Sequence, residues 1–381
     1  MILIYLLIEF LDELVFGVNE AAWPLIRSDL GLTYVQIGLA LSLPKLMASV
    51  IEPFIGILGD IWRRRILILG GGILFTCALF ITSQAKVFPV LLFALILFNP
   101  SSGAFVSLSQ ASLMDSAPKR HDQNMARWTF AGSLGVVFGP ILLGTVTLMG
   151  GTWRSMFLGL GILSLGAVFG AGWILPSNSS LPWPGFGKFW QGLKVAFSAL
   201  RRGEVVRWLV LLEFSDFMLD ILYSYMALYF VDVVGLTPAN AAFAVGVWTV
   251  VGLLGDLLLI PLLERVNGLA YLRVSVLVEL LLFPTFLLTP NFFLKLVTLG
   301  LMGLFNAGWY AILKGRLYSS MPGQSGSVMA LNQVGGLLGS FLPFGIGLAA
   351  ERLGLETAMW LMLAGPLALL IGLPRKVRGE S

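Results

Sequence analysis

The sequence contains little charge and almost none of the residues on which metal clusters and many active sites depend. Charged residues make up 12% of the 381 residues, whereas about 25% is usual for a soluble protein. Cys77 is the only cysteine and His121 the only histidine. These counts exclude a disulfide framework, a thiolate metal cluster and a zinc site built on paired histidines. They also argue against a Ser-His-Asp triad inside a membrane.

Motifs that bind nucleotides are also missing from the sequence. It contains no phosphate-binding loop of the G-x-x-x-x-G-K-[ST] type, and no dinucleotide fingerprint that follows a strand. We therefore expect no enzyme activity, no cofactor, no resident metal and no nucleic-acid partner.

What the sequence does have is long apolar segments. Hydrophobic residues make up 57% of the chain and the mean hydropathy is +0.91, more apolar surface than a soluble fold can bury. About 20 apolar residues are needed for a helix to cross a bilayer. The sequence predicts an all-α integral membrane protein with twelve such helices. Spans 1 to 12 are 1–22, 34–57, 66–84, 88–114, 126–148, 153–175, 206–231, 238–263, 271–289, 293–318, 325–349 and 355–373.

The distribution of Lys and Arg predicts the orientation. Most basic residues fall in the loops and helix ends on the side of the two termini, among them Arg63, Lys119, Arg201 and Lys376. The positive-inside rule then places both termini in the cytoplasm of a multi-pass protein of the inner membrane. Residues 176–205 form the longest interruption, and apolar residues at helical spacing within it predict an amphipathic helix on the cytoplasmic surface.

The two halves of the chain share a sequence pattern. Residues 8–12 (IEFLD) resemble 212–216 (LEFSD), and Gly31-Leu32-Thr33 resembles Gly235-Leu236-Thr237, each pair separated by 204 residues. Because six helices is an even number, both halves have the same orientation, so they are parallel repeats. The predicted organisation is a six-helix half at 1–175, a linker at 176–205, a second six-helix half at 206–373 and a cytoplasmic tail at 374–381.

Carboxylates inside the apolar spans are the main functional signal. Each charge at the bilayer centre costs about 2.5–3.5 kcal/mol on insertion scales, so such groups must face water, find partners or hold protons. Three of them share one face of span 1 and three share one face of span 7, because their spacing is helical. The members of these two stripes are Glu9, Asp12 and Glu13, and Glu213, Asp216 and Asp220.

Further deep polar and aromatic residues complete the predicted site. Lys45 is expected to be the counter-ion of a span 1 acid, with direct contact to an anionic substrate as the alternative. Aromatic side chains near carboxylates suit an organic cation through cation–π contact, although helix packing explains each aromatic equally well. We expect two other acids, at equivalent positions of the halves, to act in gating with the arginines of the loop between spans 2 and 3, with substrate contact as the alternative. The additional binding candidates are Asn99, Asn306, Trp309 and Tyr310, and the gating acids are Glu52 and Asp256.

The loop between spans 2 and 3 resembles a motif of the major facilitator superfamily, G-x-L-a-D-r-x-G-r-k. Here it reads GILGDIWRRR over 56–65, with Gly56, Asp60, Arg64 and Arg65 in matching places. Ile61 and Arg63 depart from the motif. The resemblance implies a twelve-helix transporter fold in which this loop latches the two halves on the cytoplasmic side and releases during transport.

Span 5 is similar to a motif of the drug:proton antiporters in the same superfamily. Its G-x-x-x-G-P core is Gly135, Gly139 and Pro140, although close helix packing through small residues is the alternative interpretation. Many proton antiporters carry an arginine in the middle of span 4, where this chain has Asn99.

The resemblance also implies that spans 1 and 7 line a central cavity from opposite halves, so the acidic stripes are expected to face each other there. Such carboxyl groups would bind and release protons as a coupled set. The leading hypothesis is a monomeric secondary transporter in the lipid bilayer that exports a small cationic or amphiphilic solute in exchange for protons. The alternatives are a divalent-cation exporter, a transporter of lipid-like molecules, and a receptor or scaffold that does not transport.

Overall fold

The structure of the protein is a computed structural model, and every element it describes is helical. It describes most of the chain, with gaps that include the greater part of the predicted linker and the start of span 11. The amphipathic helix predicted in 176–205 and most of the tail at 374–381 lie outside the described residues. The described residues are 2–61, 63–116, 121–175, 198, 200–321, 335–337 and 339–374.

The helices of the first half follow the predicted spans, with shifted ends. Span 1 continues past its predicted end at 22, because the apolar face extends through Trp23 and Ile26, which are fully buried. The helices are Ile2–Leu30 (span 1), Tyr34–Ile61 (span 2), Arg64–Gln84 (span 3), Phe88–Ser102 with Leu108–Ser116 (span 4), His121–Leu148 (span 5) and Trp153–Ile174 (span 6).

The second half contains the same kind of antiparallel helices. Asparagine and threonine side chains accept from backbone N–H groups at several of the starts, which satisfies donors that have no partner within the helix. The helices are Gly203–Ser215 with Leu222–Asp232 (span 7), Pro238–Leu263 (span 8), Gly268–Leu288 (span 9), Phe292–Phe305 with Trp309–Ser319 (span 10), Leu342–Leu353 (span 11), and Leu355–Met359 with Ala364–Gly372 (span 12).

Nine helical stretches in the described part of the chain are long and apolar enough to cross a membrane. They correspond to spans 2–6, 8–10 and 12. Spans 1 and 7 are helical but carry more charge, and span 11 is described only in part. The chain is therefore a multi-pass membrane protein, and the number of twelve crossings stays a prediction.

Four predicted spans are interrupted where the sequence indicated continuous helices. Span 4 contains a π-helical turn at Gly103–Ser107, shortly after Pro100, and span 7 contains another at Phe217–Ile221. Span 10 breaks between its two helices, where Gly308 has a φ of 73°. Span 12 contains a 3₁₀ turn at Trp360–Leu363. Interruptions at this depth need protein neighbours for the backbone polar groups. π-helical turns inside helices are also frequent at functional sites.

Glycines with positive φ occur at matching places in the two halves. Gly31 (63°) and Gly235 (80°) end spans 1 and 7, and Gly150 (81°) and Gly354 (84°) precede spans 6 and 12. Both pairs have the 204-residue separation on which the repeat hypothesis depends. We call the bundle face at the chain's two ends the terminus side and the other face the opposite side.

Candidate functional site

A cavity of about 250 Å³ lies between the two halves of the bundle. Spans 2 and 4 contribute the lining from the first half, and spans 7 and 11 contribute it from the second. Six of the predicted binding and gating residues reach this cavity. Its lining consists of Lys45, Ala48, Ser49, Glu52, Asn99, Glu213, Asp216, Asp220, Ile221, Gly336, Gly339, Ser340 and Pro343.

The cavity lining carries four carboxylates and one ammonium group. The three span 7 acids that share a face are all present, as the sequence predicted, and Glu52 faces them from span 2. Lys45 Nζ lies 3.5 Å from Asp220 Oδ2, and Asp216 is also within its electrostatic range. The ion pair of Lys45 is therefore made across the halves, with a span 7 acid, where we expected a partner in span 1.

The acids of span 1 lie beside the cavity. Asp12 Oδ1 accepts a hydrogen bond of 2.8 Å from Ser102 Oγ of span 4. Glu9 packs against span 5, since a Cβ atom at Gly132 would lie 2.7 Å from Glu9 Oε1. Glu13 lies near the same helix and within electrostatic range of Asp220. The face of span 1 that carries these acids thus turns mainly towards spans 4 and 5.

Three predicted binding residues of span 10 lie at or just after the break in that helix and outside the described cavity lining. Asn306 Nδ2 donates to the carbonyl oxygen of Met218 at 3.1 Å, which joins the break to the π-helical turn of span 7. Trp309 is fully buried, and its Nε1 donates to Ser275 Oγ of span 9 at 2.8 Å. Tyr310 is 43% exposed and its hydroxyl is hydrogen-bonded by Lys314. None of these three contributes to the described lining.

The motif loop between spans 2 and 3 makes its described contacts within the first half. Arg64 Nε donates to the carbonyl oxygen of Gly59 at 3.1 Å, and Arg65 donates to that of Gly172 at the end of span 6. Gly56 borders open space. The side chain of Asp60 lies outside the described residues.

The two gating candidates have different surroundings despite their equivalent sequence positions. Glu52 is half-buried in the cavity wall, where it packs against Gly103 in the π-helical turn of span 4. Asp256 is exposed and accepts a hydrogen bond from the backbone N–H of Gly308 at the break in span 10. Each acid thus lies at the interrupted helix of its own half.

The small residues of span 5 allow close packing on span 1. A Cβ atom at Gly139 would lie 2.7 Å from the Cα atom of Gly17, and one at Gly135 would lie 2.7 Å from the backbone nitrogen of Leu14. Pro140 also contacts Gly17. This geometry matches the packing interpretation of the motif.

An ionic and hydrogen-bonded cluster that the sequence did not reveal joins the halves on the opposite side. Arg27 Nη1 of span 1 lies 2.7 Å from Asp232 Oδ2 of span 7, and the hydroxyl of Tyr34 donates to the same oxygen at 2.7 Å. The guanidinium group of Arg27 lies 4.3 Å from the centroid of the Tyr34 ring. The backbone N–H of Tyr34 donates to Glu351 Oε2 of span 11 at 2.8 Å. We call Arg27, Tyr34, Asp232 and Glu351 the opposite-side latch.

Close helix contacts lie between this latch and the cavity. Span 2 approaches span 11 closely at Gly38, where a Cβ atom would lie 2.9 Å from the Cα atom of Phe344. The backbone N–H of Phe344 donates to Ser42 Oγ of span 2 at 2.9 Å. Because Ser340 and Pro343 already line the cavity, these contacts close it towards the opposite side.

Comparison with known proteins gives the family. The sequence matches the Major Facilitator Superfamily over residues 5–344, and no curated protein matches it. A bacterial homologue of the human lysosomal transporter Spinster, in an inward-facing and unoccupied conformation, has a TM-score of 0.75 at 17% identity over 98% of this chain and 94% of its own. The nucleoside transporter NupG has a TM-score of 0.77 at 14% identity over 98% of both chains. The chain therefore belongs to the Major Facilitator Superfamily, a family of secondary transporters.

Proposed function

We propose that the protein exports a small organic cation in exchange for protons, by alternating access to the cavity between its halves. One observation carries this proposal: among the described residues, four carboxylates and a single ammonium group line the same cavity. A lining with this excess of acid attracts a positively charged solute and repels an anion.

The chemistry of the lining favours a hydrophilic cation. No aromatic side chain is among the described lining residues, so cation–π contact contributes less than the sequence led us to expect. Carboxylates instead accept charge-assisted hydrogen bonds from ammonium groups. Asn99, Ser49 and Ser340 add neutral polar groups that can orient the solute. A small primary or secondary amine suits this lining better than an amphiphilic aromatic cation.

The crowded acids of span 7 provide the basis for proton exchange. Asp216 lies within electrostatic range of both Glu213 and Asp220, and carboxyl groups coupled in this way gain and lose protons as a set. A cation that enters the cavity favours ionised carboxylates, so it displaces protons. Protons that return to these carboxyl groups then favour release of the cation.

The predicted orientation is consistent with export as the direction of transport. The cavity lies on the terminus side of the contacts that close it, and the distribution of Lys and Arg predicts that the termini lie in the cytoplasm. A cytoplasmic solute would thus enter the cavity from the terminus side. Rocking of the two halves would expose it to the other side of the membrane, driven by inward proton movement.

The alternative substrates receive less support from the site. The described residues contain no group of three or more side chains arranged to hold a metal ion, which weighs against divalent-cation export. A nucleoside is worth testing because NupG shares the fold, although 14% identity does not transfer its substrate.

Transport by purified protein in liposomes with an imposed pH gradient tests the proposal. We expect accumulation of a radiolabelled diamine or monoamine, driven by the gradient, and none of adenosine or Mn²⁺. Asp216→Asn should abolish the gradient-driven component, because it removes one member of the coupled set. Glu204→Gln is the matched control, since Glu204 is an exposed acid at the start of the same span.

Two results would contradict the proposal. One is transport of a cation at the same rate with and without the gradient, in the wild type and in Asp216→Asn. The other is gradient-driven transport of adenosine or Mn²⁺ with no binding of any amine.

A further inference from the structure

Glu20 of span 1 is a buried acid outside the cavity. It is only 4% exposed, and its Oε2 atom has no hydrogen-bond partner among the described residues. The same holds for two neighbouring oxygen atoms, Asn19 Oδ1 and the hydroxyl of Tyr223 on span 7. Several unpartnered oxygen atoms therefore lie together where span 1 meets span 7.

The surroundings of Glu20 form a built polar site. The side chains of Asn19 and Ser224 lie within hydrogen-bond reach of its carboxyl group. The ring of Tyr223 is held between Phe16 and Trp248, with centroid distances of 5.6 Å to each. Packing of the two halves against each other thus encloses the carboxyl group of Glu20.

The ligand that completes this site is a proton. An ionised carboxylate with an unpartnered oxygen in a buried position is strongly disfavoured, whereas a protonated one can donate to a nearby acceptor. Asn19 Oδ1 is such an acceptor without a donor.

Lys45 can act as the counter-ion of Glu20 when the carboxyl group of Glu20 is ionised. Both residues belong to the first half and lie within electrostatic range of each other, whereas the present partner of Lys45, Asp220, belongs to the second half. When the halves separate on the opposite side, spans 1 and 7 move apart. The ion pair across the halves then breaks, while Lys45 keeps its neighbour in span 1.

We propose that Glu20 is a second proton-binding site, which must be occupied before the opposite side closes and which is ionised and paired with Lys45 when that side is open. This inference rests on the alternating access of the proposed function. It adds a site at which protons act on the gate without touching the substrate.

Protonation of other groups near Glu20 would affect the opposite side differently from protonation of Glu20 itself. Lys45 and Asp220 are within its electrostatic range, and the phenols of Tyr223 and Tyr225 also face it. Spans 4, 5, 6 and 8 also pack against span 1. Spans 4, 5 and 8 carry charge only in their terminus-side portions, and Arg154 of span 6 is paired with Asp29 on the opposite side. The latch carboxylates of Asp232 and Glu351 lie further out, and their protonation would weaken the latch. A lower pH thus favours the closed opposite side through Glu20 and the open opposite side through the latch. The sign of the pH response therefore distinguishes protonation of Glu20 from protonation of the latch.

A distance measurement without substrate tests the proposal. Spin labels at Met149→Cys and Leu353→Cys, in a Cys77→Ser background, report the separation of the halves, because both positions are exposed on the opposite side. Double electron–electron resonance would be recorded on the full chain in lipid nanodiscs from about pH 5 to about pH 9. We expect the long-distance population to grow as the pH rises in the wild type. In Glu20→Gln we expect a short distance at every pH.

Two more variants make the outcome decisive. Lys45→Met should also lose the pH response, because Glu20 then has no counter-ion in the open state. Glu279→Gln is the matched control and should keep the response, since Glu279 is a fully buried acid of span 9 whose carboxyl oxygens are also unpartnered. A pH response that survives in Glu20→Gln overturns the inference, as does a response to Na⁺ at constant pH. Either result leaves the transport test of the cavity unaffected, so the two proposals can fail separately.

Discussion

Removal of the Asp232 carboxylate should open the opposite side of the protein. Asp232 Oδ2 accepts from Arg27 and from Tyr34, both at 2.7 Å. The side chains of Arg27 and Asp232 are 31% and 22% exposed, so solvent screens the pair only in part. Two charge-assisted hydrogen bonds in this setting stabilise the closed state by about 2 kcal/mol in total.

That loss corresponds to a roughly 30-fold change in the ratio of closed to open protein, since 1.36 kcal/mol is a factor of ten. The same spin-label pair would measure it, as an increase in the long-distance population of Asp232→Ala at neutral pH. The double variant with Arg27→Ala should shift the free energy between closed and open protein by less than the sum of the two single shifts, because the two residues share one interaction.

The matched control for this change is Asp29→Asn. Asp29 forms an ion pair with Arg154 of span 6, but both residues belong to the first half, so the pair does not depend on how the halves are arranged. We expect its distance distribution to equal that of the wild type. An unchanged distribution in Asp232→Ala, or an equal shift in Asp29→Asn, would refute the assignment of the latch.

Two further predictions concern the packing of the spans. Gly139→Ala should lower the free energy of unfolding by about 1–3 kcal/mol, measured by thermal unfolding in detergent, because its Cβ atom would lie 2.7 Å from the backbone of span 1. Gly166→Ala, which meets open space, should not lower it, since alanine favours a helix over glycine. Trp309→Phe should cost at least about 1 kcal/mol of stability, through the lost hydrogen bond to Ser275 and the space left by the smaller ring in a fully buried position, while the KM for the transported amine stays the same. A raised KM without lost stability would instead make Trp309 a substrate contact.

Helical spacing identified which acids share a face but not where that face points. The i, i+3, i+7 spacing of Glu213, Asp216 and Asp220 grouped three residues that do line one cavity. The equally regular spacing of Glu9, Asp12 and Glu13 grouped residues that pack largely on neighbouring helices. The rotation of a helix about its axis depends on what its other faces bury, and nearly every face of these spans is apolar.

The interruptions and the latch depend on tertiary structure, which the sequence pattern does not contain. The break at Gly308 lies in an apolar run with ordinary helical composition, and its backbone groups are satisfied by residues of spans 8 and 9. Arg27 and Asp232 are separated by 205 residues, and no pattern in the sequence links them. Their pairing follows only from the way the two halves meet.

Proton release on substrate binding tests the central claim most directly. Purified protein in weakly buffered detergent solution, with a pH indicator, would be titrated with the amine that the liposome assay identifies. The cavity acids predict protons released in proportion to the bound amine in the wild type and in Glu204→Gln, and fewer protons released per bound amine in Asp216→Asn. Saturable binding of the amine without any proton release would contradict the exchange of cation for protons in this cavity.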